Sequence, residues 1–202
     1  MYPCDLPIPR SPIRVRVTGI TRERGARNSR DGSGSSVEGM LHALPIIIST
    51  ATPTSAEAEG VSLRYYEDIV GRYHGRRASR QEVLAAQAGY PSDDLIAPTG
   101  LLLLARQGHT VLGCAGMRVR PGAIGEVTRV FVEQTARGKG VGRLLMETLE
   151  RESRALGLVA LQLDTRTDLL EARSLYASLG FIEGEAHNAD PYANHWFRKE
   201  LR

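Results

Sequence analysis

The chain has 202 residues, 42% hydrophobic and 24% charged, the balance of an ordinary globular domain able to bury a sizeable core. Its two cysteines, Cys4 and Cys114, are too few and too far apart for a disulfide framework or a zinc site, so we expect a reducing, cytoplasmic compartment and no metal. No apolar run approaches the ~18 residues of a membrane span, and the opening MYPCDLPIPRSPIRVRV lacks the continuous apolar stretch of a signal peptide.

The formal net charge of +3 is local. Residues 1–39 carry seven Arg against Asp5, Glu23, Asp31 and Glu38, while the remainder is balanced. The same segment is rich in Pro, Gly and Ser and has no sustained apolar period. It cannot bury enough surface to offset its ordering entropy, so residues 1–42 are expected to form a disordered tail before one domain at 43–202. As a functional element it would be an arm for RNA, DNA or an acidic surface, but no aromatics interleave its arginines. We therefore read it as a solvated tail, or as sequence ahead of a true start at Met40, and expect neither a nucleic-acid nor a membrane partner.

Order begins near Leu44. Pro45–Thr50 reads as a β-branched strand, and Thr52-Pro-Thr-Ser-Ala carries helix-start chemistry ahead of Glu57 and Glu59. A helix over about Leu63–Tyr73 would place Leu63, Tyr66, Ile69, Val70 and Tyr73 on one side. Ser79 with Glu82 three residues on forms a capping box for a second helix ending at Gly89. Leu101–Arg106 and Val111–Arg120 flank the turn Gln107-Gly-His-Thr and read as a hairpin, and Pro121-Gly122 turns the chain into a strand starting at Glu126.

That strand, Glu126-Val-Thr-Arg-Val-Phe-Val132, runs into a loop where Gly138, Gly140 and Gly142 alternate with Lys139 and Val141 between Arg137 and Arg143. A helix opening at about Gly140 or Val141 leaves unpaired N–H groups and a positive dipole end facing whatever the loop holds, an arrangement suited to phosphate. A Walker loop needs Ser or Thr after Gly-Lys, which is absent. A dinucleotide fingerprint needs a third glycine where Leu145 stands, although Asp164 lies where its ribose-binding acid would be. The following helix carries an apolar stripe through Val141, Leu144, Leu145, Leu149 and Leu156, with Glu147/Arg151 and Glu150/Arg154 at i,i+4, and Gly157 ends it. Leu158–Asp164 is a nearly continuous apolar strand, so strand, helix and strand make a right-handed parallel crossover. Asp168 with Glu171 would cap the next helix, which presents Ala172, Leu175, Tyr176 and Leu179 before Gly180. Phe181-Ile starts another strand, and Asn194–Leu201 is the last.

The pattern Arg137-x-x-Gly140-x-Gly142, after a strand and opening a helix, resembles the acyl-CoA-binding motif of the GNAT superfamily of N-acetyltransferases. Ala172-x-x-Leu175-Tyr176-x-x-x-Gly180-Phe181 is similar to that family's later helix and turn, and the resemblance covers about 43–202. It implies an α/β fold of α+β type: a mixed, mainly antiparallel sheet of six to seven strands, helices on both faces, and a splayed central parallel pair. It implies acetyl-CoA as co-substrate, its diphosphate on backbone amides of Gly138, Lys139, Gly140, Val141, Gly142 and Arg143, with Arg137, Lys139 and Arg143 adding charge at the rim. Val130, Phe131 and Val132 would pair their backbone with the pantetheine arm. Many relatives carry an Asn just before or within the helix that holds the tyrosine; Thr165-Arg166-Thr167-Asp168-Leu169 has none, leaving that contact absent or made by Thr165.

Acetyl transfer to an amine needs the amine neutral, yet with a lysine-like pKa of ~10.4 only about one in two thousand is so near neutrality. Glu126 is the candidate base, directly or through a water, and Tyr176 the candidate acid for the departing sulfur. None of the histidines carries an assignment. In this architecture the acceptor walls come from about 61–96 and 184–196, which offer Tyr65, Tyr66, Tyr90, Asp190, Tyr192 and Trp196. The acceptor expected is a small-molecule amine or a protein or peptide amine, on a monomer or homodimer. A non-catalytic acyl-CoA-binding sensor is the main alternative; an Arg-tailed interaction factor with a vestigial domain is the third.

Overall fold

The computed structural model describes residues 14–17 and 44–201. In chain order the strands are β1 (Arg14–Val17), β2 (Ile46–Thr50), β3 (Gly100–Gln107), β4 (Thr110–Arg120), β5 (Ile124–Val132), β6 (Ala160–Thr165), β7 (Ile182–Gly184) and β8 (His195–Glu200). The helices are α1 (Ala56–His74), α2 (Arg80–Gly89), α3 (Val141–Ala155) and α4 (Leu170–Ser178), with a single 3₁₀ turn at Gln134–Ala136. One mixed sheet results, ordered β1-β2-β3-β4-β5-β6-β8-β7. Among the described residues only β5 and β6 pair in parallel; every other neighbour is antiparallel. This is the expected mixed, mainly antiparallel sheet with a central parallel pair.

Its eighth strand lies within the segment read as a tail. Arg14–Val17 alternates Arg and Val and adds to the free edge of β2 in the register Arg14↔Ser49 to Val17↔Ile46. Four residues are too short for a periodic pattern to stand out from a Pro-rich, Gly-rich background. The rest of the expected tail lies outside the described residues.

Helices cover both faces, and strand alternation explains how. Leu103, Ala105, Met117, Val127, Leu161 and Leu163 face α3, whose Leu145, Met146 and Leu149 are buried against them. Leu102, Leu104, Cys114 and Phe131 face the other way and meet Ala58 and Val61 of α1. The leucine run of β3 is therefore apolar throughout because both of its faces are covered. Each fully buried leucine contributes about 1.5–3 kcal/mol relative to exposure.

Several local expectations shift. α1 starts at Ala56, where Ser55 caps it by accepting from the Ala58 N–H. Its buried residues are Ala58, Val61 and Tyr66, while Leu63 and Tyr73 of the expected stripe are exposed. The capping box at Ser79 and Glu82 forms as read. Asp168 does not cap α4, whose first turn follows Leu169 without a side-chain cap; its carboxylate instead takes two bonds from Arg166. The Glu150–Arg154 pair forms at 2.7 Å, but Glu147 pairs back to Arg143 and Arg151 turns to Glu152.

Candidate functional site

The site begins with an irregularity in β5. Cys114 lies opposite Phe131 and Gly116 opposite Thr128, so β5 carries one more residue than β4 across that interval. The extra residue is accommodated at Arg129, whose φ is +56°. Such a bulge bends the strand that carries it. β6 pairs with β5 only over Ile124–Glu126, against Ala160–Gln162, and no pairing continues toward Val132 among the described residues. The two strands part where Glu126 ends their pairing, and the expected splay has a physical cause in the bulge.

Arg129 is 7% exposed and held from several sides. Its guanidinium donates to the Tyr90 carbonyl, to Ser92 Oγ at 3.3 Å and to Thr128 Oγ1 at 3.2 Å, and it lies 5.1 Å from the Tyr66 ring centroid. Nothing in the sequence separates it from an ordinary strand arginine.

Past the splay a cleft of about 1450 Å³ opens through the sheet, and Glu126, Tyr176 and residues of the glycine loop all line it. Glu126 pairs with Gln162, so two residues further along β6, Asp164 faces the same side. Asp164 in turn lies opposite Trp196 of β8. This face also carries Arg118 and Arg120 and lies under α1 and the loop after α2. Tyr176 belongs to the opposite face, packed on Phe181 and Phe197 within the core that α3 closes. Loop and tyrosine thus stand on one side of the sheet, carboxylates on the other, and the gap joins them.

On the loop side, α3 has Gly140 at its N-cap with φ +79° and no side-chain cap. Gly138 has φ +74°, and a Cβ at either glycine would meet nothing within 4 Å. The left-handed backbone at both glycines thus leaves open space beside the start of α3, whose first-turn N–H groups have no acceptor within the helix. Gly142 serves differently: a Cβ there would lie 3.1 Å from Leu175 Cδ2, so it lets α3 approach α4. These residues fit a diphosphate ligand. Val130, Phe131 and Val132 lie on the stretch of β5 that has left β6. Arg137, expected at the rim, is engaged: its Nε donates to the Val132 carbonyl and its Nη2 lies 3.1 Å from Asp68. Arg143 donates to Ser178 Oγ at 2.8 Å, and Lys139 is exposed.

Tyr176 is 5% exposed, and its hydroxyl has no hydrogen-bond partner among the described residues. Burial, with smaller contributions from Tyr65, Asp164 and Glu171, raises its pKa above the usual phenol value. It therefore keeps its proton through the neutral range. Glu126 is bound by Arg120 at 2.6 Å and is one-fifth exposed, its side chain at 19%. Of the acceptor residues named from sequence, Tyr65, Tyr66, Tyr90, Asp190 and Tyr192 line the cleft, whereas Trp196 stands behind it, bonded to Asn188. Tyr192 stacks edge-on with Tyr73 and Tyr90, at 5.3 and 6.4 Å between centroids, and its N–H donates to Asp190. Two cleft residues were missed as site residues, Asp164 and Asn188. Asp164 was visible only through a fingerprint that failed, and Asn188 gave no signal.

Among the described residues no group of three or more His, Cys, Asp and Glu side chains is placed to hold a metal, and no helix is long and apolar enough to cross a membrane.

The sequence profile of the acetyltransferase (GNAT) family matches residues 64–181. The chain is 42% identical over 90 residues to an IAA acetyltransferase of Azospirillum brasilense, spanning 44% of this chain and 59% of that protein. It is 31% identical over 185 residues to a mycothiol acetyltransferase of Thermomonospora curvata, spanning 85% of this chain and 61% of that protein. The chain thus spans about three-fifths of the length of these curated relatives. In fold it is similar to the PaiA N-acetyltransferase of Thermoplasma acidophilum, solved in complex with coenzyme A, at a TM-score of 0.59 and 17% identity over 76% of this chain and 98% of that one. With more than half of its length matched by the family profile, beneath a splayed sheet and an open glycine loop, the chain belongs to the GNAT acetyltransferase family.

Proposed function

We propose that this protein moves the acetyl group of acetyl-CoA to a primary amine by direct attack with both substrates bound. The observation that carries the reading is the parting of β5 from β6 after Glu126, which joins a diphosphate-ready loop on one face to a carboxylate-lined, aromatic-walled chamber on the other. The amides of Gly138 to Arg143 hold the diphosphate at the α3 N-terminus, with charge from Lys139 and Arg143. The backbone of Val130, Phe131 and Val132 receives the pantetheine arm as a further strand would. Acetyl-CoA supplies the activated acyl group and a thiol leaving group. Tyr176, buried and protonated, gives the sulfur its proton. Glu126 presents a carboxylate to the acceptor's ammonium on the opposite face. Holding both reactants across the gap replaces a bimolecular encounter, an advantage of several kcal/mol, up to about 7–11 in well-oriented cases.

The test is calorimetry with acetyl-CoA on wild type and Gly140→Asp, together with thiol release across a panel of a monoamine, an aliphatic diamine, an arylalkylamine and an alanyl peptide. Wild type is expected to bind and to turn over at least one amine. Gly140→Asp should bind at least about tenfold more weakly, because a carboxylate would stand in the open space before the amides. Saturable binding without turnover on any amine would favour the sensor reading.

A further inference from the structure

The cleft carboxylates are not equivalent. On the acceptor face Asp94 is held by Arg118 at 2.6 Å and Glu126 by Arg120 at 2.6 Å. Arg198, opposite Gln162, is paired with Glu200 at 2.6 Å, and Arg166, two residues beyond Asp164, with Asp168 at 2.6 Å. Asp164 has no ion-pair partner among the described residues. It receives one hydrogen bond, from Asn188 Nδ2 at 2.7 Å. The amide orientation of Asn188 is dictated by its other neighbour: the Trp196 indole can only donate, and it does so to Asn188 Oδ1 at 2.9 Å. The Asp190 N–H adds a second, longer bond to the same oxygen at 3.3 Å. Trp196 is also the register partner of Asp164, so one bracket of β6, β8 and the loop between β7 and β8 holds this carboxylate in place.

Resting on the transferase reading above, we propose that Asp164, not the Arg-bound Glu126, is the group that takes the acceptor's proton. The geometry gives three reasons. Asp164 lies two residues beyond Gln162, in the unpaired part of the gap, whereas Glu126 sits at the last paired position. One oxygen of Glu126 is already engaged by a guanidinium, while Asp164 meets only a neutral amide. Asp164 and Tyr176 line the same cleft, one from each side of the gap. Burial raises the Asp164 pKa above the usual carboxylate value, and the nearby charges of Asp190 and Glu126 act in the same direction. The Asn188 bond and His187 oppose them. The titratable groups facing Asp164 are thus Glu126 from β5, Tyr176 from α4, Tyr90 after α2, and His187 and Asp190 from the last loop.

In this scheme Asp164 takes one proton from the acceptor's ammonium and frees the nitrogen lone pair. The N–C bond forms to the acyl carbon as the C–S bond breaks. Tyr176 gives its proton to the departing sulfur and recovers one from the new amide nitrogen, and Asp164 returns its proton to solvent. The products are an amide, a thiol and one released proton.

The experiment compares wild type, Asp164→Asn, Glu126→Gln and Asn188→Ala in thiol release on the same four amines, with pH profiles of kcat and calorimetry for coenzyme A. Asp164→Asn should lose about 100-fold in kcat and lack the acid limb of the profile, yet bind coenzyme A as wild type does, which reports an intact fold and loop. Asn188→Ala should shift the acid limb upward, because its bond favours the ionised carboxylate. Glu126→Gln should keep the limb and raise the amine KM more than it lowers kcat. An acid limb retained in Asp164→Asn and lost in Glu126→Gln would overturn this assignment and leave the transferase reading standing. Turnover of no amine by wild type that still binds coenzyme A would overturn both.

Discussion

Tyr176 places an almost fully buried phenol among Phe181, Phe197 and the α3 core, with its hydroxyl unpartnered at the edge of the gap. Its hydroxyl oxygen is not among the fully buried atoms without a partner, so it reaches the open gap, and removing it breaks no hydrogen bond within the described residues. Tyr176→Phe is therefore expected to leave stability unchanged or slightly increased while kcat falls about 100-fold. Urea unfolding beside thiol-release kinetics checks both halves. Unchanged turnover in a stable variant would remove Tyr176 from the chemistry. Because burial raises the phenol's pKa, its proton stays in place below the ordinary value of ~10, so no alkaline loss of activity below that point should trace to it.

At the scale of the element, β5 matters through its defect. A left-handed φ at a residue other than glycine costs about 1–2 kcal/mol, and Arg129 accepts that cost. Its guanidinium offsets it by satisfying the Tyr90 carbonyl, bonding Ser92 and Thr128, and lying against the Tyr66 ring. Two substitutions separate the terms. Arg129→Ala keeps the strain and loses the contacts, and is expected to cost about 2–4 kcal/mol. Arg129→Gly loses the same contacts without the strain and should be the more stable of the two by about 1 kcal/mol. Chemical denaturation midpoints decide; equal values would mean that the bulge relaxes when the arginine is gone. α3 shows the complementary case, since its Gly140 cap leaves the first-turn amides unpartnered and available to a ligand.

For the molecule as a whole, the gap is a place where the sheet is held together by one side only. β5 is tied to β4 and β6 to β8, and among the described residues the two halves of the sheet pair as strands over Ile124–Glu126 alone, with α3 packed across both. A ligand bound along the gap spans both. Coenzyme A at a hundred times its Kd should stabilise the fold by about 2.7 kcal/mol, seen as a rise of several degrees in Tm, and Gly140→Asp should abolish the rise. A ligand-independent melting curve for wild type would argue that the loop holds nothing.

What the sequence by itself determined here is local and periodic. The glycine spacing marked the loop and, with the Ala172–Phe181 pattern, carried the family resemblance; the capping box at Ser79 marked α2, and the apolar run Leu158–Asp164 marked β6 as covered on both faces. Those signals are legible because neighbours in the chain produce them. The bulge left no trace, since Thr128-Arg129-Val130 reads as ordinary strand and the left-handed arginine is held by contacts to Tyr90, Ser92 and Tyr66, 37 to 63 residues away. Asp164 showed only as the acid of a fingerprint that failed: its freedom from an ion-pair partner depends on the nearby arginines being engaged elsewhere, and its fixed orientation depends on Asn188 and Trp196. Which carboxylate is bound and which is open is a matter of distances through space, and only the folded sheet decides it.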